Sequence, residues 1–268
     1  MPRLKLFFSL ATISLALFFE LICCNSPSAK KEISSPAYKN LSDTAHYVGM
    51  QTCRTCHANV YATFIQTGMG KSWDHATREK SSGKFDGHSY VYDKFKNFWY
   101  HPFWKDDSLY IKEFRLEGGD TIYQRTEKIS YIVGSGQHTN SHIWMENGYL
   151  YQAPMTFYTQ KQIWDVPPGF EEGMNTRWNR TVSAECMTCH NMYPQFDASS
   201  DNKYLSVKTG IECERCHGPG SIHVQEKMAG ILVDTAKEID YSIVNPKNLH
   251  KSLHIEINKN VYTIIYFP

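Results

Sequence analysis

The chain has 268 residues, enough for one large domain or two smaller ones. Its 28 Lys and Arg are balanced by 27 Asp and Glu, so the composition gives no electrostatic reason to expect a nucleic-acid partner. The unusual features are 12 His, 8 Cys and 14% aromatic residues, a combination that favours a protein that binds metal ions or a cofactor.

The first 24 residues are typical of a signal peptide for export. Arg3 and Lys5 precede an apolar run over Leu6–Phe19, which is too short for a permanent anchor because a spanning helix needs about 20 apolar residues. Residues 21–24 read Leu-Ile-Cys-Cys and resemble a relaxed lipobox, so we expect a lipoprotein attached to a membrane through Cys24. Ordinary cleavage nearby is the alternative. In both cases the mature protein is expected in the periplasm or on the outer cell surface.

The segment that follows the signal is predicted to be a flexible linker. Residues 25–45 are rich in Ser, Lys, Pro and Asn and contain few apolar side chains. Beyond the linker, Val60, Phe64 and Ile65 recur at helical spacing. This spacing predicts a short helix over Asn59–Gln66.

The middle of the chain, about residues 87–165, contains no cysteine and has a different pattern. Short aromatic and β-branched runs alternate with polar turn residues, which predicts antiparallel strands joined by hairpins. The predicted strands are Ser89–Tyr92, Leu109–Ile111, Thr121–Tyr123 and Ile129–Val133, with turns at 105–108 and 117–120. Pro167, Pro168 and Gly169 end this β-rich insert, because consecutive prolines interrupt strand pairing.

A Cys-x-x-Cys-His motif occurs three times, at Cys53–His57, Cys186–His190 and Cys213–His217. The three motifs use every cysteine outside the predicted signal. In such a motif the two thiols add to the vinyl groups of a haem, and the histidine becomes the proximal ligand of its iron. The sequence therefore predicts three covalently bound c haems. The attaching cysteines are Cys53, Cys56, Cys186, Cys189, Cys213 and Cys216, and the proximal ligands are His57, His190 and His217.

Three other uses of paired cysteines agree less well with this pattern. A structural zinc site usually takes four protein ligands, and zinc would leave the histidine after each pair unexplained. Disulfides within such short segments would not connect distant parts of the chain. A thioredoxin-like redox motif needs a βαβ context, which the sequence does not predict. Zinc is the main alternative to haem.

The motifs leave the second axial ligand of each iron open. His138 follows a predicted strand through a glycine-rich turn and is the first candidate, because glycines let backbone approach a porphyrin closely. His223 follows the third motif after a Gly-Pro-Gly turn that redirects the chain, so it could bind a neighbouring haem. His75 is a further candidate, with Met69 as an alternative on the same segment. The histidines left open are His88, His101, His142, His250 and His254.

Four segments together resemble the multihaem cytochromes related to cytochrome c-554, and the resemblance extends over Tyr47–Pro246. They are Tyr47–Thr52, Val133–His138, Trp164–Phe170 and Gly210–His223. The chain looks most like bacterial members that are often fused to tetratricopeptide repeats. The resemblance implies stacked haems, mostly bis-histidine ligation and electron transfer, and it supports His138 and His223 as distal ligands. Such chains continue into a further motif, so the resemblance also implies truncation at the C-terminus.

The predicted fold is α+β, with short helices and loops around stacked haems and a central antiparallel β-rich segment. The multihaem domain is expected over 46–246, followed by an atypical tail over 247–268. The predicted function is electron transfer with redox partner proteins rather than catalysis. Two alternatives remain: a haem enzyme that acts on a small nitrogen or sulfur species at an open haem, and a zinc-stabilised binding module.

Overall fold

The computed structural model describes residues 38–192, 194–248, 254–258 and 261–264. The predicted signal peptide, with Cys24, and most of the predicted linker lie outside the described residues. The end of that linker is ordered against the rest of the fold, because Tyr38 and Asn40 are buried. The Asn40 side-chain amide donates hydrogen bonds to the carbonyl oxygens of His217 and Pro219. The packed part of the chain therefore begins earlier than the predicted linker boundary at residue 45.

A nine-stranded antiparallel sheet forms the centre of the fold. Its strands are β1 (Trp73–His75), β2 (Val91–Asp93), β3 (Phe98–Lys105), β4 (Ser108–Glu117), β5 (Asp120–Val133), β6 (Thr139–Glu146), β7 (Tyr149–Tyr158), β8 (Ile163–Asp165) and β9 (Arg180–Thr181). Strands β2 to β8 pair in chain order, while β1 pairs with β5 and β9 pairs with β7. The predicted antiparallel sheet and both predicted hairpin turns are confirmed.

Strand β5 differs from the prediction because the two runs predicted as separate strands form one strand of 14 residues. Its first part pairs with β4, and its last part pairs with β6 and β1 after a register shift between Ile129 and Tyr131. The polar stretch between the two runs continues the strand. Within it, Arg125 pairs with Glu127 and stacks over the ring of Trp144. The contact of Arg125 with Trp144 of β6 is a cross-strand contact, and such contacts stabilise a strand that has little apolar character.

Two apolar clusters cover the sheet. The larger one is built from inward-facing residues of β2 to β8, including Tyr100, Leu109 and Met155. The smaller one surrounds Trp73 and contains Met187. Because Met187 belongs to the second Cys-x-x-Cys-His motif, this cluster attaches that motif to the sheet.

The helices of the described residues are short. They are α1 (Met50–Cys56), α2 (Ala58–Phe64), α3 (Ala184–His190), α4 (Glu214–His217) and α5 (Ser221–Met228), with 3-10 turns at Lys39–Leu41 and Pro246–Asn248. Two small two-stranded sheets lie outside the central sheet. The pair β10 (Gln195–Phe196) and β11 (Tyr204–Ser206) lies between α3 and α4 in the chain, and the pair β12 (His254–Asn258) and β13 (Val261–Ile264) comes last. The α+β class is confirmed, and α2 confirms the helix predicted after the first motif. In the part of the chain that the structure describes, no helix has the length and hydropathy of a membrane span.

Candidate cofactor site

The third Cys-x-x-Cys-His motif contacts the second and the segment that leads into the first, although in the sequence the strands of the whole sheet lie between the first motif and the other two. The guanidinium group of Arg215, in the third motif, donates a hydrogen bond of 2.6 Å to the carbonyl oxygen of Thr188, in the second. The backbone N–H groups of Val48 and Gly49, which lead into the first motif, donate hydrogen bonds of 2.9 and 2.8 Å to the carboxylate of Glu214, in the third. The third motif therefore lies between the other two.

The first motif lies on α1, and its histidine joins α1 to α2. Gly49 precedes α1 with φ of 82°, a left-handed conformation that glycine adopts without steric cost. Neither α1 nor α2 buries any of its residues, so Cys56 and His57 are exposed. The motif is held at its start instead, where the backbone N–H of Met50 donates to the Glu212 carboxylate over 3.1 Å.

The second motif forms α3 and is anchored by the residue between its cysteines. Met187 is 1% exposed and packs in the cluster around Trp73, whereas Cys186 and Cys189 face solvent. The Ser72 hydroxyl donates a hydrogen bond of 2.8 Å to the carbonyl oxygen of His190. The apolar contact and this hydrogen bond fix one side of α3 and leave its two thiols accessible.

The third motif orients its histidine through a backbone hydrogen bond. His217 Nδ1 lies 2.8 Å from the carbonyl oxygen of Val244, which is fully buried. Nδ1–H is therefore the donor, which in the neutral ring leaves the lone pair of Nε2 as the ligand atom. Ligand histidines in metalloproteins are commonly held this way, because the second-shell acceptor fixes both the tautomer and the direction of the ring.

His57 and His223 form a pair of nearly parallel imidazole rings, with centroids 6.3 Å apart and an angle of 20° between their planes. The separation fits one metal ion between the two rings, since each metal–nitrogen bond is about 2 Å long. His223 Nδ1 lies 2.9 Å from the Ser242 hydroxyl and 3.6 Å from the Asp240 carboxylate, which leaves Nε2 available. Burial lowers the pKa of His223 and so favours the neutral, metal-binding imidazole.

His138 lies at the end of a turn that adjoins the second motif. The backbone N–H of Gly134 donates to the carbonyl oxygen of Ser72, the residue whose hydroxyl contacts His190. His138 Nδ1 lies 2.8 Å from the side-chain amide of Gln160, which can orient the ring. The glycines of this turn were expected to let a porphyrin approach. In the structure they allow the protein to pack on itself, because a Cβ at Gly134 would clash with the carbonyl oxygen of Thr139.

The remaining histidines have other surroundings. His75 is exposed on β1, with its ring 5.1 Å from that of Tyr131, so its role as a ligand stays a prediction. His101 stacks on Tyr90 at 4.1 Å. His142 is fully buried, and its Nδ1 donates to the carbonyl oxygen of Met155 over 3.1 Å. His250 and the side chain of His254 lie outside the described part of the chain.

The donor atoms fit haem attachment better than the alternatives. All six motif cysteines are free thiols, so no disulfide uses them. Within residues 38–192 and 194–248, no three or more His, Cys, Asp or Glu side chains are arranged to hold a metal ion, as a structural zinc site requires. Each motif instead offers two unpaired thiols and one imidazole, the set that a c haem uses.

Sequence reasoning missed four residues that position the motifs through contacts that no local pattern reveals. They are Asn40, Glu212, Glu214 and Ser242.

The comparisons with known proteins give one family match and one similar structure. Residues 168–218, which contain the second and third motifs, match the family of cytochrome c554 and c-prime. A search of curated proteins found no match. The chain is also similar to a solved structure, that of the outer cell wall cytochrome OcwA, with a TM-score of 0.42 and 18% sequence identity over 71% of this chain. The similarity spans 36% of that cytochrome, so this chain matches about a third of its length.

Proposed function

We propose that this chain, which matches the cytochrome c554 and c-prime family over residues 168–218, is a c-type cytochrome that acts as an exported electron carrier with three covalently attached haems. The observation that carries the proposal is the contact of the third motif with the second and with the segment that leads into the first. Six free thiols and three motif histidines supply the attachment atoms and the proximal ligands. When bound, each haem iron supplies reversible one-electron chemistry. Motifs in contact favour haems close enough together to exchange electrons.

Within the proposal, His57 and His223 are the two axial ligands of the first haem. The geometry of the rings supports this pair, and Ser242 supports the orientation of His223. His138 is the distal candidate for the haem of the second motif, because its turn adjoins the segment that contacts His190. His75 remains a candidate whose iron is not identified.

Export, anchoring and partners complete the proposal. The signal-like residues 1–24 support delivery to the periplasm or the outer surface, where haem attachment takes place, and Cys24 is the proposed lipidation site. The partners proposed are other redox proteins. Metabolic labelling with a clickable fatty acid tests the anchor, since a mature chain that carries no label contradicts lipidation.

The central test is the intact mass of the full chain produced together with a cytochrome c maturation system. We expect an increase equal to three haems, haem stain retained on a denaturing gel, and a pyridine haemochrome spectrum typical of c haem. A matched chain with Cys186→Ser and Cys189→Ser should gain two haems. A parent chain without covalent haem, or one that contains zinc, contradicts the proposal.

A further inference from the structure

Glu214 lies between the two cysteines of the third motif, yet its carboxylate is directed at other parts of the chain. The residue is 1% exposed. Its Oε1 accepts hydrogen bonds from the backbone N–H groups of Val48, at 2.9 Å, and Gly220, at 2.7 Å. Its Oε2 accepts one from the N–H of Gly49, at 2.8 Å. Hydrogen bonds to an ionised acceptor are stronger than neutral ones, and these three offset the cost of burying the charge.

The three donors belong to the two segments that carry the paired histidines. Val48 and Gly49 lead directly into α1, which ends at Cys56, and His57 follows it. Gly220 precedes α5, which carries His223 on its first turn. The side chain of Glu214 thus joins the residues before α1 to the residue before α5, while its own backbone belongs to the third motif.

The packing around the carboxylate is close. A Cβ placed on Gly220 would lie 3.1 Å from Glu214 Oε1 and 3.0 Å from Val48 Cγ2, which is tighter than side chains normally pack. Glycine at this position therefore lets the turn approach the carboxylate. Glu212, two residues away, is half-buried and accepts one hydrogen bond, from Met50, so it contributes to the same end of α1 without reaching α5.

We propose that Glu214 is a positioning residue that sets the spacing of His57 and His223 and thereby couples axial ligation of the first haem to the third motif. The inference rests on the proposed function. Glu214 does not touch the iron in this scheme. It acts through the backbone of the two ligand-bearing segments, and its loss lets one segment move relative to the other.

The variant Glu214→Gln tests the inference in the fully loaded protein. Glutamine has the same shape, but its amide nitrogen cannot accept a backbone N–H, so at least one of the three hydrogen bonds is lost. We expect the intact mass to keep all three haems. In electron paramagnetic resonance of the ferric protein, one of the three haems should show a high-spin or altered low-spin signal. The matched control Glu238→Gln, at an exposed position, should retain the parent signals.

A double-variant comparison separates positioning from general destabilisation. His223→Ala removes the proposed distal ligand, so adding Glu214→Gln to it should change the spectrum no further. If Glu214→Gln yields no folded protein, Glu214→Asp, which keeps the charge on a shorter side chain, is expected to show the same altered haem. Parent-like spectra in a folded Gln or Asp variant overturn the inference. A parent chain without covalent haem overturns the proposed function instead.

Discussion

The imidazole ring of His57, between α1 and α2, has its centroid 6.3 Å from that of His223 on α5, although 166 positions separate the two residues. If both bind one iron, His223→Ala removes one ligand and opens a coordination position. We expect three haems by mass, one of them high-spin in the ferric state, with carbon monoxide binding to that haem after reduction. The control is His101→Ala, which removes a ring that stacks on Tyr90. Equal carbon monoxide binding by the parent and His223→Ala contradicts the pairing.

The turn that carries His138 depends on Asn140, which is fully buried. Its side-chain amide donates to the carbonyl oxygens of Gly134 and Thr139, both at 3.2 Å, and its oxygen accepts the backbone N–H of Ser82 at 2.7 Å. Asn140→Ala should lower the free energy of unfolding by about 2 kcal/mol, because buried backbone groups lose their partners. Urea unfolding of the loaded protein measures this change.

The same variant also reports on His138. If His138 binds iron, Asn140→Ala should increase high-spin character or carbon monoxide binding at a haem other than the one changed by His223→Ala. Gln124→Ala is a suitable control, because it removes a polar side chain from an exposed position on β5 of the same sheet. Spectra identical to the parent, together with lower stability, would mean that the turn has a structural role alone.

The buried histidine His142 should make stability depend on pH. Burial lowers the pKa of His142 to about 4, whereas the pKa of an unfolded histidine is about 6.5. The unfolded chain therefore binds the extra proton first as the pH falls. The stabilisation is complete above pH 6.5 and decreases towards pH 4, by about 3 kcal/mol in total. His142→Phe, which cannot titrate, should lose this part of the pH dependence.

Urea unfolding of both chains between pH 4 and pH 7.5 measures the difference. The variant also removes the hydrogen bond to the Met155 carbonyl, so it should be less stable than the parent at pH 7.5. The diagnostic result is that the two stabilities converge as the pH falls. Parallel curves across this range would contradict the assignment of the pH effect to His142.

Sequence reasoning recovered the features that depend on neighbouring residues. The motifs, the helix over Ala58–Phe64 and the hairpin turn at 105–108 follow from local spacing and turn chemistry. The positioning of the motifs depends on contacts between distant residues, and Glu214 and Val48 are 166 positions apart. No local pattern distinguishes Glu214 from an exposed acidic residue. The continuous strand β5 was missed for a related reason, because its polar middle is stabilised by neighbouring strands.

An ion pair between Glu113 and Arg177 joins β4 to the segment before β9. Glu113 is fully buried, and Arg177, which is 35% exposed, donates a hydrogen bond of 2.9 Å to it through Nε. Arg177 also stacks on Phe98, with 4.1 Å between the guanidinium carbon and the ring centroid. Arg177→Met removes the charge and leaves the carboxylate buried, with hydroxyl groups such as that of Tyr123 as its hydrogen-bond donors.

We expect Arg177→Met to lower the free energy of unfolding by about 3 kcal/mol, the lower end of the range for breaking a buried pair, because water reaches part of the guanidinium group. The double variant Glu113→Gln with Arg177→Met should recover part of that loss, since no unpaired charge stays buried. Urea unfolding of the loaded proteins gives both values. A double variant less stable than Arg177→Met would mean that the unpaired charge is not the source of the lower free energy of unfolding. Glu113 would then stabilise the fold through its packing and its hydrogen bond with Tyr123. The haem count should be unchanged in both variants, because the contacts of this pair lie on the sheet and its following segment, away from the Cys-x-x-Cys-His residues.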